Sequence, residues 1–277
     1  MKEDLRRRLV VAAVGIPASL VVVYRGDVIL ALGLSFLAAV GFWEYAVMMR
    51  EAGHRPFIGL GLLAALTFPL AVRTLGFGVA WAACVAFLAL GSAVATLRLP
   101  PSERPISNAA ITLFGAFYLG GLLSFGVPLR EWFLPGRVEG TLLFFYPVVV
   151  TWITDTAAYA GGRTFGRRQL SPTISPNKTI EGAVSALIAG PLGALLYGLL
   201  VPVPVIQGLG PTTLLVFGFF VALLAIIGDL VESALKRECG QKDASGLLPG
   251  HGGFLDRLDS LLWTIPGAYL FFMAMGL

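Results

Sequence analysis

Long apolar runs, separated by short polar stretches, organise this chain. Nine can be marked, at about 9–24, 28–49, 57–72, 75–97, 109–128, 141–162, 180–204, 212–235 and 255–277. A helix needs roughly 20 residues to cross the roughly 30 Å of hydrocarbon in a bilayer. Inside lipid only helices and closed barrels satisfy their own backbone. The pattern therefore predicts an all-α fold, a polytopic transmembrane helix bundle of about nine spans. The first and third runs are short, with about 16 apolar residues each. Either can be half of a re-entrant hairpin, so the range is seven to nine. A hairpin removes spans in pairs and leaves the later topology unchanged.

Composition agrees with this pattern. The chain is 57% hydrophobic and 13% charged, with mean hydropathy +0.83. A soluble domain carries about 25% charged residues, and no stretch here is polar enough to form one. The N-terminal Met1–Arg8 segment, basic and followed by apolar residues, resembles a signal peptide superficially. It lacks a small-x-small cleavage site and another apolar run follows at once, so it reads as a retained first span. Cys84 and Cys239 have no metal-ligand spacing and suggest no disulfide.

The distribution of Lys and Arg orients the bundle. Sixteen of the 20 fall on the N-terminal side of the alternating loops, and four (Arg25, Arg73, Arg130, Arg137) on the other. By the positive-inside rule the N-terminus is cytoplasmic. The acids are uneven too. Asp155, Glu181, Asp229, Glu232, Asp243, Asp256 and Asp259 all come after residue 150, in or beside the cytoplasmic ends of the last four runs, whereas Glu44 is the only intramembrane acid in the first five. Residues 1–140 thus read as an N-terminal scaffold and 141–277 as the catalytic region, its site facing the cytoplasm of a cell (inner) membrane. No internal repeat relates the halves, which disfavours an inverted-repeat transporter.

Four constellations carry chemistry. Asp229, Glu232 and Ser233 stand at i, i+3 and i+4 on one helical face, with Lys236 and Arg237 a turn later; an interhelical salt bridge is the simplest alternative reading for Glu232. Residues 238–253 hold Gly240, Gly246, Gly250, Gly252, Gly253 and Pro249, which break a helix. Such a loop lets backbone N–H groups approach an anion, and Lys242, His251 and Arg257 bracket it; no Walker motif occurs. Asp256 and Asp259 open the last run at i and i+3, where the helix dipole alone also favours acids. Hard oxygen ligands from two helices suit Mg²⁺, with Asp229 and Asp256 as first-choice ligands and Asp259 next. Finally, Asp155 lies deep in the sixth run. Beyond it come the basic Arg163, Arg167 and Arg168, then Ser175, Asn177, Lys178, Thr179 and Glu181, in which Thr179 or Asn177 caps the seventh run. Arg167 and Arg168 equally suit attraction to anionic lipid. His54 is assigned no role. Acids for a divalent cation plus Lys, Arg and His on glycine loops are the equipment of phosphoryl or nucleotidyl transfer, which depends on neutralising charge and on positioning. Placement at a membrane edge suggests one water-soluble substrate and one lipid.

The run from Ser233 through Leu235-Lys236-Arg237, Lys242-Asp243, Ser245, Leu248-Pro249, His251-Gly252-Gly253-Phe254 and Asp256-Arg257-Leu258-Asp259 resembles the signature of the phosphatidate cytidylyltransferases. Asp155 and the Ser175–Gly182 block resemble a second block of that family. The resemblance implies condensation of CTP with phosphatidic acid to CDP-diacylglycerol and pyrophosphate, in a Mg²⁺-dependent homodimer with K⁺ as a second ion. It implies metal ligation by Asp229 and Asp256, and more loosely by Asp243 and Asp259. Lys178, Lys242, His251 and Arg257 would hold phosphate groups. The remaining substrate contacts expected are Ser233, Lys236, Arg237, Asp243, Gly252, Gly253, Ser175, Asn177, Glu181 and Asp155. No nucleic-acid partner is expected. A CTP-dependent polyisoprenoid lipid kinase is the alternative enzyme, and an ion-coupled transporter the alternative of another class.

Overall fold

A computed structural model describes residues 2–131, 136–247 and 252–276, with residues 2–12 as backbone only. Among these, the elements are α1 (Lys2–Arg25), α2 (Asp27–Glu51), α3 (Ile58–Leu75), α4 (Phe77–Leu97), α5 (Pro105–Ala116), α6 (Leu122–Ser124), α7 (Gly126–Glu131), α8 (Arg137–Phe165), β1 (Gln169–Ser171), β2 (Ser175–Thr179), α9 (Ile180–Leu200), α10 (Pro204–Gln207), α11 (Pro211–Glu238), α12 (Leu255–Leu258) and α13 (Leu261–Ala274). A single π turn, Phe117–Gly121, joins α5 to α6.

The fold is all-α and polytopic. Among the described residues seven stretches are long and apolar enough to cross a membrane: α2, α3, α4, the composite Pro105–Glu131, α8, α9 and α11. The third apolar run, short by sequence, is an 18-residue helix. The last run is divided: α12 has four residues and α13 fourteen, with Asp259 and Ser260 between them.

One β-hairpin departs from the all-helical expectation. Strands β1 and β2 are antiparallel, with Ser171 opposite Ser175. Both serines precede proline (Pro172 and Pro176), and a residue before proline is pushed from the α region to extended backbone. Ile180 N–H donates to the Arg168 carbonyl at 2.9 Å and closes the hairpin's neck.

The chain divides into two compact units. One comprises residues 1–128 and 238–257, the other residues 129–237 and 258–277. In the first unit α2 to α5 bury Phe42, Tyr45, Phe68 and Leu119. The Tyr45 hydroxyl donates to the Ile111 carbonyl at 3.1 Å. Asn108 and Thr112 of α5 accept the backbone N–H groups of Arg55 and Phe57, at 2.9 and 2.8 Å, and so fix the turn before α3. The π turn lets α3 come close: a Cβ on Gly120 would lie 2.6 Å from the Ala65 Cα.

The second unit is built on small-residue packing, the usual device for helices that gain no hydrophobic drive inside lipid. Gly182, Ala186, Gly190, Ala194 and Gly198 of α9, four residues apart, are all buried. A Cβ on Gly218 of α11 would lie 2.6 Å from the Pro191 Cα. Tyr146 of α8 stacks on Tyr197 and Phe217, with centroids 4.8 and 4.5 Å away, and its hydroxyl donates to the Ala194 carbonyl at 3.0 Å. Thr151 and Thr264, hydrogen-bonded at 3.1 Å, tie α13 to α8.

Candidate active site

The polar chemistry of the second unit gathers at one end of α11. Asp229, Glu232, Ser233, Lys236 and Arg237 follow one another along its last turns. Gly228 brings the chain around Asp259 against this helix, since a Cβ there would meet the Asp259 carbonyl oxygen and Trp263 Cδ1, each at 2.7 Å. As a result one carboxylate oxygen from each of Asp229, Glu232 and Asp259 lies within 4.8 Å of the others. Two ammonium groups lean on this cluster: Lys178 Nζ is 2.7 Å from Asp229, and Lys236 Nζ is 2.7 Å from Glu232. Ser260 N–H donates to Asp259 Oδ1 at 2.6 Å, and Ser260 Oγ to the Ala225 carbonyl at 3.3 Å, which holds the start of α13 on α11.

The donor set fits a hard divalent cation. All three donors are carboxylate oxygens, and opposite ligands around Mg²⁺ stand about 4.2 Å apart, around Ca²⁺ about 5 Å. The observed spread needs only side-chain adjustment to close on such an ion.

Beside the cluster lies a cavity of about 440 Å³ lined by Asp155, Arg163, Ser175, Asn177, Lys178 and Asp229, among others. The hairpin supplies three of these residues, and three contacts shape it. Arg237 Nε donates to the Ile174 carbonyl at 3.2 Å. Glu181 accepts the backbone N–H groups of Arg167 and Arg168, at 3.0 and 3.2 Å. Of the two candidate caps for α9, Thr179 acts: its Oγ1 accepts the Gly182 N–H at 3.1 Å. Glu181 and Arg237, both expected at the substrate, also hold the hairpin that carries Lys178.

The first unit holds the glycine-rich segment. Lys242, Asp243 and Arg257 are exposed, whereas Ala244, Gly253 and Leu255 are buried. Asp256 Oδ2 accepts the N–H groups of Ala244 and Gly253, at 3.0 and 2.7 Å. Gly252 has φ +78°, in the left-handed region, and a Cβ there would lie 2.7 Å from the Asp256 carboxylate. His251 lies outside the described residues.

Two acids have contacts that the sequence did not suggest. The expected metal set paired Asp229 with Asp256, then Asp259. Among the described residues of the second unit the carboxylates of Asp229, Asp259 and Glu232 converge; Asp256 belongs to the first unit, where its carboxylate accepts two loop amides. Glu232 was legible, one turn from Asp229 on the same face, with an interhelical salt bridge as the alternative; its ion pair is instead within α11, with Lys236 one turn on. Glu44 read as scaffold. Its carboxylate accepts bonds from Ser245 Oγ, Phe254 N–H and Leu255 N–H, at 2.6, 3.0 and 2.7 Å. Partners some 200 positions away leave no local sequence signal beyond the isolation of an acid in an apolar helix.

An all-α polytopic membrane protein with a carboxylate cluster flanked by lysines is the class that this fold and site define. The chain matches the cytidylyltransferase family over residues 6–275 and belongs to it. It is 40% identical over 161 residues to the phosphatidate cytidylyltransferase of Bacillus subtilis (strain 168), a match covering 57% of this chain and 56% of that protein. It is 42% identical over 130 residues to that of Staphylococcus saprophyticus, covering 47% and 48%, and 37% over 163 residues to that of Staphylococcus aureus (strain COL), covering 57% of each. The chain spans about half the length of the curated relatives it matches.

Proposed function

We propose that the protein is a CTP:phosphatidate cytidylyltransferase that makes CDP-diacylglycerol and pyrophosphate for phospholipid synthesis. The observation that carries this reading is the Asp229–Glu232–Asp259 cluster with Lys178 at 2.7 Å from Asp229, beside a cavity lined by basic and polar groups. Family membership and the names of the relatives support it.

In this reading an oxygen of the phosphatidate phosphate attacks the α-phosphorus of CTP. The new P–O bond forms as the bond to the β-phosphate bridging oxygen breaks, and pyrophosphate leaves. No general base is required, because a phosphate monoester is ionised near neutral pH. Asp229, Glu232 and Asp259 would hold Mg²⁺, which when bound neutralises triphosphate charge; a K⁺ as second ion stays part of the proposal, as does Asp256 as a ligand. Lys178 takes up phosphate charge from the hairpin side, and Asp155, Ser175 and Asn177 shape the same cavity. Lys242, His251 and Arg257 supply further phosphate contacts, and Ser233, Lys236, Arg237, Asp243, Glu181, Gly252 and Gly253 belong to the proposed set of substrate contacts. Residues 141–277 form the catalytic region on the residue 1–140 scaffold. The enzyme works as a homodimer in the inner membrane, its site towards the cytoplasm, where CTP is available.

The test is turnover of radiolabelled CTP with phosphatidic acid in detergent, with and without Mg²⁺. Labelled CDP-diacylglycerol and stoichiometric pyrophosphate are expected, and neither appears under chelation. CDP as the released nucleotide would point instead to a lipid kinase.

A further inference from the structure

We propose that Glu44 is a positioning residue: from inside α2 its carboxylate fixes the two ends of the glycine-rich segment, and thereby the place of Lys242 and Arg257 that flank them. A carboxylate in an apolar helix is expensive unless it is fully hydrogen-bonded. Glu44 is 1% exposed, and both of its oxygens are engaged by this segment. Oε1 accepts the Ser245 hydroxyl at 2.6 Å and the Phe254 N–H at 3.0 Å, and Oε2 accepts the Leu255 N–H at 2.7 Å.

The sequence around the acid is fitted to it. A Cβ on Gly253 would lie 2.7 Å from each Glu44 oxygen, so only glycine admits the carboxylate at this distance. Phe254 packs edge-on against Phe36 of α2, with centroids 6.3 Å apart. From the other side Asp256 ties residues 244 and 253 together. Residues 244–245 and 253–255 are thus clamped between two carboxylates, one from a remote helix and one local. An amide at position 44 accepts through only one of its two terminal atoms, and the other would confront a donor N–H. The role therefore requires an acid and not merely a polar group. Glu44 touches no reacting atom; it acts through the segment it holds.

The kinetic arm of the test rests on the cytidylyltransferase reading, whereas the exchange arm does not. Amide hydrogen exchange of the purified full chain in detergent is compared for wild type, Glu44→Gln, Gly253→Ala and Ser245→Ala, alongside thermal stability and steady-state kinetics with varied CTP. Glu44→Gln and Gly253→Ala are expected to accelerate exchange at residues 254–255 at least about 10-fold, with α2 to α5 still protected. They should lower kcat by about 10- to 100-fold, the size of effect a 1 Å misplacement produces. The double variant should be no worse than either single one, because both break the same contact. Ser245→Ala, which removes one bond of three, should keep the protection at 254–255. Unchanged exchange and kinetics in folded Glu44→Gln, or in Gly253→Ala if the former does not fold, would overturn the proposal. Exchange that rises throughout α2 to α5 would reduce Glu44 to a general stabiliser, which also overturns it. If wild type makes no CDP-diacylglycerol, the functional reading fails while the exchange arm still decides the role of Glu44.

Discussion

At the scale of single residues, the acids divide by what they touch. Asp229, Glu232 and Asp259 converge, and Asp256 accepts two loop amides. Asp229→Asn and Asp259→Asn should abolish turnover while the protein still inserts and folds. Mg²⁺ titration by calorimetry should show at least about a 10-fold loss of affinity, as expected when a charged ligand is removed. Asp256→Asn should abolish turnover too, and its Mg²⁺ binding by calorimetry identifies the cause. A weakened Mg²⁺ affinity assigns Asp256 to the ion, and an unchanged one to the loop. Arg168→Ala should matter little, because it is the backbone N–H of Arg168 that binds Glu181. Asp229 and Asp259 were legible as candidates from their placement in grease. Which acids would actually meet was not, since that depends on a turn at 259–260 inside a run that reads as one continuous span.

At the scale of elements, small residues decide how near the acids come. Gly228→Ala would put a methyl 2.7 Å from the Asp259 carbonyl and from Trp263. Such overpacking costs about 1–3 kcal/mol and would push the 259–260 turn off α11. The expected result is a raised Mg²⁺ half-saturation together with a lower Tm in detergent; an unchanged Mg²⁺ dependence would show that the acids tolerate the displacement. The β-hairpin is the second such element. Glu181→Ala removes the acceptor of two backbone N–H groups and should raise the CTP KM with a smaller effect on kcat, because Lys178 loses its fixed approach. The hairpin was missed because two three-to-five-residue strands in a polar loop leave no period to read; the pre-proline serines were the available signal.

At the scale of the molecule, the proposed topology predicts that Cys239 faces the cytoplasm. Cys239 is partly exposed and Cys84, within α4, is buried, and both are free thiols. A membrane-impermeant maleimide should therefore label Cys239 in inside-out vesicles and spare it in right-side-out ones; the reverse pattern would invert the proposed topology.

The apolar runs alone dictated an all-α polytopic fold, because lipid admits only helices and closed barrels, and continuous apolar runs of about 20 residues are the length of a spanning helix. The polar run at 233–259 was likewise legible, because charge in so apolar a chain stands out without any structure. Tertiary packing decided the rest. It drew Glu232 into the acid cluster through the closeness of Gly228 to Asp259, and it turned Glu44 from scaffold into an anchor for residues some 200 positions away. Both are long-range contacts between residues whose local surroundings look unremarkable, and a pattern of neighbours along the chain carries no record of them.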